Sequence, residues 1–250
     1  MNGSKRDSIL PRLRCILQNS MYMEMQALRH ILDYRLISIS FQPIKARPSG
    51  EIFAYQALVR GPHGSNYELP NSLFTAADYY KCRWEMEAMY LQEAMIGAAD
   101  RVRDQFLFLT IDPKFMASWE YDADFILYCA DRYLLPPEQI VLNIGDPGQI
   151  TYYSSLRLRL SMYRKAGLKL ALQDHGTGSI DQSIVKFKPD FVVLPLYPAR
   201  SGPDAYTSFS SAVDACGQTG AATIFEEIWE GSDPYFWSDH KQDDAAFRVS

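Results

Sequence analysis

Several features expected of exported, metal-clustering or nucleic-acid-binding chains are missing from this sequence. Its four cysteines, Cys15, Cys82, Cys129 and Cys216, lie far apart and supply neither a CxxC pair nor a zinc ligand set. They are expected to be buried thiols in a reducing cytosol. Lys5, Arg6, Arg12 and Arg14 are not followed by a continuous apolar stretch. Neither a signal peptide nor a membrane anchor is therefore expected, and the chain reads as cytoplasmic. A formal net charge of −5 argues against a nucleic-acid surface, because duplex binding rests on phosphate neutralisation. A local basic pocket for a small anion stays open. No GxSxG, HExxH, Walker A or Cys–His arrangement occurs. His30, His63 and His240 lack clustered partners and are expected in solvent.

The chain does have the composition and length of a globular α/β protein. With 250 residues, 47% hydrophobic and 22% charged, it is long enough for one large domain or two small ones, and single α/β barrels reach this size. Its organising stretch is residues 168–195, LKLALQDHGTGSIDQSIVKFKPDFVVLP. Two apolar runs, 168–172 and 191–194, suit strands buried on both faces. Between them Gly176 and Gly178 allow a sharp turn. That turn sets Asp174 and His175 just past a strand's carboxyl end, where parallel α/β folds place their chemistry.

The remainder alternates in the same way. A helix is expected over 7–34, then strands 36–44 and 51–59 joined by a turn around Pro48-Ser49-Gly50. Helices at 84–103, 124–133, 152–166 and 205–217 are interleaved with strands at 106–111, 140–144 and 221–225. The pattern predicts a parallel sheet with crossover helices, closed into a barrel. Met21, Met23 and Met25 are expected to pack against the chain's own barrel, with partner docking as the alternative. The tail is poorly patterned, and its Trp229, Tyr235, Phe236 and Trp237 are expected in the core.

The QDHGTG sequence resembles the DDFGTG motif of EAL domains, the bacterial cyclic di-GMP phosphodiesterases. Phe41-Gln42-Pro43-Ile44 is identical to the family's FQPI, and Tyr55 to Arg60, YQALVR, is similar to its yEALlR. The stretch from Leu69-Pro70 to Phe74 with Ala76-Ala77 resembles the P..F...A helix, Leu142 to Asp146 the lEiTE segment, and Phe225-Glu226 the start of AEGVE. The resemblance runs from Phe41 to Glu230. It implies an α/β fold, an EAL-type modified TIM (β/α)8 barrel over 36–250, with an extra N-terminal helix in an extension over 1–35.

The family's reaction hydrolyses a phosphodiester with two divalent metals. Against that pattern Gln56 stands for the signature glutamate, Thr110 for an asparagine, Asn143 for the first glutamate of lEiTE, and Gln173 for the first aspartate of DDFG. Val193 stands for a lysine near the attacking water. Asp174 and Glu226 are retained, and Asp146 shortens another acidic position. His175, at a family phenylalanine, is expected in the core; an Asp174–His175–Glu226 metal site is the other reading.

These changes imply a site that binds no metal, needs no cofactor and does not cleave cyclic di-GMP. The expected role is a bacterial signalling regulator acting by protein–protein interaction. The alternative is a cyclic di-GMP receptor that binds without cleavage through Gln42, Leu58, Arg60, Asp146, Asp174 and Glu226. Arginine suits bidentate phosphate contact, whereas the three carboxylates repel a doubly charged ligand. The glutamine of the family's QGy, which helps seat a guanine, has no counterpart. Nucleic-acid and membrane partners are not expected, and the resemblance leaves room for a homodimer.

Overall fold

The computed structural model describes residues 6–145, 153–174, 180–195, 202–227 and 235–239. It divides the chain into two compact units, Met1–Ile39 with Val59–Tyr90, and Ser40–Leu58 with Leu91–Ser250.

The first unit is helical. Helix α1 (Arg6–Asp33) buries Leu28 and Ile31, three positions apart and so on one face. Met21, Met23 and Met25 are instead 43%, 66% and 39% exposed. The helix period sets the three apart. At 100° per residue, position 23 points away from 21 and 25, so one partner surface cannot cover all three. Helix α2 (Pro70–Tyr79) starts on Pro70, whose missing N–H costs nothing in a first turn. At the start of α3 (Arg83–Ala99), Arg83 reaches Asp78 at 2.8 Å and Glu87 at 3.3 Å, with Phe74 beneath its guanidinium at 4.6 Å. His63 is 97% exposed, as expected, but its Nδ1 lies 2.8 Å from Glu68 Oε1.

The loop after Arg60 folds back tightly, with the Gly61 N–H bonded to the Glu68 carbonyl. A Cβ on Gly61 would sit 2.1 Å from the Tyr67 carbonyl oxygen. Backbone cannot yield as a side chain does, so Gly61→Ala is expected to lower stability by about 2–3 kcal/mol. Chemical denaturation would measure it, and an unchanged midpoint would refute the close approach.

The second unit is built on the sheet. Strands β1 (Ser38–Arg47), β2 (Ile52–Arg60), β3 (Phe106–Ile111), β4 (Ile140–Gly145), β5 (Lys169–Gln173), β6 (Phe191–Pro195), β7 (Ala222–Glu227) and β8 (Tyr235–Asp239) follow one another around a closed barrel. Strands β2 to β7 are parallel. Strand β8 is antiparallel to β7 and parallel to β1, so β1 and β8 run against the other six. This corrects the expectation of a wholly parallel sheet. A parallel connection needs about a dozen residues or more. The turn at Pro48-Ser49-Gly50, where Gly50 has a φ of +72°, is far too short for one. Strand β8 also lies in the tail whose pattern predicted no strand, since closure there rests on backbone pairing.

Helices α4 (Pro113–Ala117), α5 (Phe125–Arg132), α6 (Tyr153–Lys165), α7 (Ile180–Phe187) and α8 (Gly202–Thr219) connect the strands. The short α4 is absent from the sequence reading. It is capped by Asp112, whose carboxylate accepts from the Lys114 and Phe115 N–H groups. Cys82, Cys129 and Cys216 are buried free thiols, and burial pushes Cys129 up to about 11.

The barrel interior is apolar at one level. Ile44, Ala54, Phe108, Val141, Ala171, Phe191, Val193 and Ile224 form one buried cluster. Side chains on a strand return to the same face every second residue. Two positions beyond Ala54, Phe108, Val141, Ala171 and Ile224 stand Gln56, Thr110, Asn143, Gln173 and Glu226. The strand period alone therefore lays a polar level on the apolar one, towards the carboxyl ends of the parallel strands.

Candidate functional site: a hydrogen-bonded polar chain at the strand ends

The polar level runs across neighbouring strands from β2 to β5 and then past β6 to β7. Gln56 Nε2 donates to Thr110 Oγ1 at 3.3 Å, and Asn143 Nδ2 donates to the same oxygen at 3.4 Å. Asn143 Nδ2 also donates to Gln173 Oε1 at 2.7 Å, and Gln173 Nε2 donates to Glu226 Oε2 at 3.0 Å. Register sets Thr110 opposite Asn143, whereas Gln173 is opposite Gly145 and meets Asn143 diagonally, two positions along the strand. The chain is nearly dry. Exposure is 3% for Gln56, 0% for Asn143, 5% for Gln173 and 9% for Glu226.

One carboxylate sets the direction of these bonds. An ionised carboxylate only accepts, so Gln173 must turn its NH2 towards Glu226. Its Oε1 then faces Asn143, which must answer with Nδ2. Thus Glu226 orients two amides in sequence. The Asn143 Oδ1 and Gln56 Oε1 oxygens are left buried with no hydrogen-bond partner among the described residues.

The structure brings Gln56, Thr110, Asn143, Gln173 and Glu226 into one network, beside which Val193 stands opposite Gln173 in register. Its side chain is fully buried and belongs to the apolar cluster. Asp174 is 6% exposed, and its N–H donates to the Val193 carbonyl at 2.9 Å, extending the β5–β6 pairing. Gln42 is buried on β1, while Leu58 and Arg60 are half-buried near the end of β2. Asp146 and His175 lie outside the described residues, so the histidine–carboxylate alternative stays with the sequence. Sequence reading found the polar positions but missed their linkage and the role of Thr110 as a shared acceptor. The only available signal was their common place two residues beyond an apolar one.

Among the described residues no three His, Cys, Asp or Glu side chains are grouped to hold a metal ion. No described helix is long and apolar enough to cross a membrane.

An α/β barrel with polar side chains at the carboxyl ends of its parallel strands is the general plan of a ligand-handling or enzymatic barrel. The profile of the EAL domain matches residues 25–231, and the chain belongs to that family. No curated protein matches. Among solved structures, the Klebsiella pneumoniae BlrP1 complex with calcium and cyclic di-GMP aligns with a TM-score of 0.68 at 19% identity, over 82% of this chain and 54% of that one. This chain thus spans about half of BlrP1. The Xanthomonas citri FimX EAL domain, in complex with cyclic di-GMP, gives 0.68 at 16% identity over 90% and 93%. A standalone versatile EAL protein from Vibrio cholerae O395, with cyclic di-GMP bound, gives 0.62 at 18% over 81% and 89%. At these identities the likeness is one of fold.

The family's reaction implies two divalent cations, and the residues present do not suit them. Magnesium and manganese favour carboxylate oxygens, with enough negative charge to offset their own. Here three of the polar side chains are neutral amides, and each is hydrogen-bonded to a neighbour through its NH2 group. Of the acidic positions singled out in the sequence, Asp174 and Glu226 are the ones among the described residues.

Proposed function

We propose that this protein is a non-catalytic EAL-family regulator in bacterial cyclic di-GMP signalling, acting in the cytoplasm by contact with a protein partner. The carrying observation is the amide chain from Gln56 to Glu226. Phosphodiester hydrolysis by two metals requires charge neutralisation at the phosphate and an activated water. A chain of neutral amides supplies neither. Each NH2 group already bonds within the chain, and Asn143 spends both of its N–H donors there. The barrel then serves as a scaffold, and its regulatory contacts lie on its surface. Residues 1–35 act in this reading as a helical extension of the barrel.

The direct test is incubation with cyclic di-GMP in magnesium or manganese, followed by separation of the nucleotides. The expected result is intact ligand. Metal-dependent formation of linear dinucleotide, abolished by Asp174→Ala, would overturn the proposal.

A second reading is supported by the solved relatives that hold cyclic di-GMP, and by the intact Gln42, Leu58 and Arg60. In it the protein binds the dinucleotide without cutting it, and the family pattern adds Asp146, Asp174 and Glu226 to the residues that would meet the ligand. Titration calorimetry separates the two. Saturable binding lost in Arg60→Ala, with uncut ligand recovered, establishes the receptor. No heat, together with a stoichiometric copurifying protein retained by Arg60→Ala, establishes the contact regulator.

A further inference from the structure

We propose that the outer face of helix α6 docks a second copy of this chain, about a two-fold axis running along the helix. The face lies wholly in the second unit and has an acidic edge, an apolar stripe and a basic edge. Two contacts fix their order. On one side Arg159 donates to the Met116 carbonyl and lies over the Tyr121 ring at 5.4 Å. The Tyr121 and Tyr163 hydroxyls are 3.0 Å apart, so the loop after α4 is pinned along this side. That loop exposes Glu120, Asp122 and Asp124 beside Trp119, which is 88% exposed. On the other side Arg164 donates to the Lys188 carbonyl just past α7. Arg157, Arg164 and Lys188 are all exposed, and α6 carries no acidic residue. Between the edges stand Leu158 and Met162, 65% and 44% exposed and one turn apart. Measured from position 158 at 100° per residue, 162 lies about 40° away, 157 and 164 about 100–120° to one side and 159 about 100° to the other.

That order is self-complementary. A two-fold axis lying along α6, in the plane of contact, exchanges the two edges. Each copy's acidic edge then meets the other's basic edge, while the two Leu158–Met162 stripes meet at the axis. Trp119 of one copy comes to the guanidinium side of the second copy, where a ring face suits an arginine. Symmetry makes every such pairing twice. A different protein would have to carry the same three zones in matching order, which this chain already does. A nucleic acid or an anionic membrane would meet the acidic edge together with the basic one and be repelled by it. The inference does not depend on whether the barrel cleaves a nucleotide, and it gives the proposed regulator a dimeric form.

The test is sedimentation velocity of the full chain over a micromolar concentration series, at low and at high salt. The expected result is a monomer–dimer equilibrium that weakens as salt screens the edges. Leu158→Arg sets a charge on the stripe of both copies and should leave a monomer with the parent's circular-dichroism spectrum. Arg157→Glu and Glu120→Lys should each raise the dissociation constant about tenfold, because each change acts twice across the axis. The double variant puts opposite charges face to face again and should recover most of the affinity. A chain that stays monomeric at every concentration would overturn the proposal, as would a dimer indifferent to Leu158→Arg. Failure of the double variant to recover would show that the two edges do not face each other, and would also overturn it. So would a different protein held by the monomer and released by Leu158→Arg. None of these results bears on cleavage of cyclic di-GMP, which the nucleotide assay reads separately.

Discussion

Gln173→Leu is expected to lower the unfolding free energy by about 3–4 kcal/mol, visible as a lower denaturant midpoint at unchanged slope. Gln173 is the hinge of the polar chain, accepting from Asn143 at 2.7 Å and donating to Glu226 at 3.0 Å. Leucine has a similar volume, so packing is nearly conserved and the loss is polar. An NH2 proton on Asn143 loses its acceptor, and the buried Glu226 carboxylate loses this donor. An unsatisfied buried group costs about 1–3 kcal/mol, and more when charged. Gln173→Glu tests the same hinge differently. It sets a second carboxylate against Glu226, and the mutual repulsion raises their folded-state proton affinity. Stability is then lost above the ordinary carboxylate range and regained as pH falls and one proton is taken up. A Gln173→Leu protein as stable as the parent would show that the chain is not formed.

Arg83→Ala is expected to cost about 3–5 kcal/mol, the usual penalty for stranding one half of a buried ion pair. Arg83 is 7% exposed and Glu87 1%, one helical turn apart, and the guanidinium also bridges to Asp78 and lies over Phe74. Alanine removes the charge that offsets Glu87 and the apolar stem that packs on the ring. The double variant Arg83→Met with Glu87→Leu removes both charges and fills the space. It should recover most of the loss, because a well-packed apolar pair is often as stable as a buried ionic one. If the single and double variants fall equally, the interaction is packing alone. Neither residue stands at the polar level of the barrel, so any cyclic di-GMP response should survive in the folded single variant.

Much of the site was legible residue by residue. Gln56, Thr110, Asn143, Gln173 and Glu226 were each singled out because strand ends carry chemistry in such folds and because a family pattern marks the places. The strand boundaries 106–111 and 140–144 fall on β3 and β4 to within one residue. The pattern was silent where backbone geometry decides. Strand β8 closes the barrel from a segment with no clear alternation. The reversed direction of β1 lay in the shortness of its turn, which a strand count overlooks.

By itself the sequence determined the alternation of strand and helix and the two-residue spacing that lays polar on apolar side chains. It also determined the chemical neutrality of Gln56, Asn143 and Gln173. These follow from local periodicity and from side-chain type, neither of which needs a partner. Only the tertiary structure decided that these residues touch, and in what order. The reason is that an amide is both donor and acceptor, and its sequence does not say which end faces its neighbour. That choice is made across strands, where the acceptor-only carboxylate of Glu226 turns Gln173, and Gln173 turns Asn143.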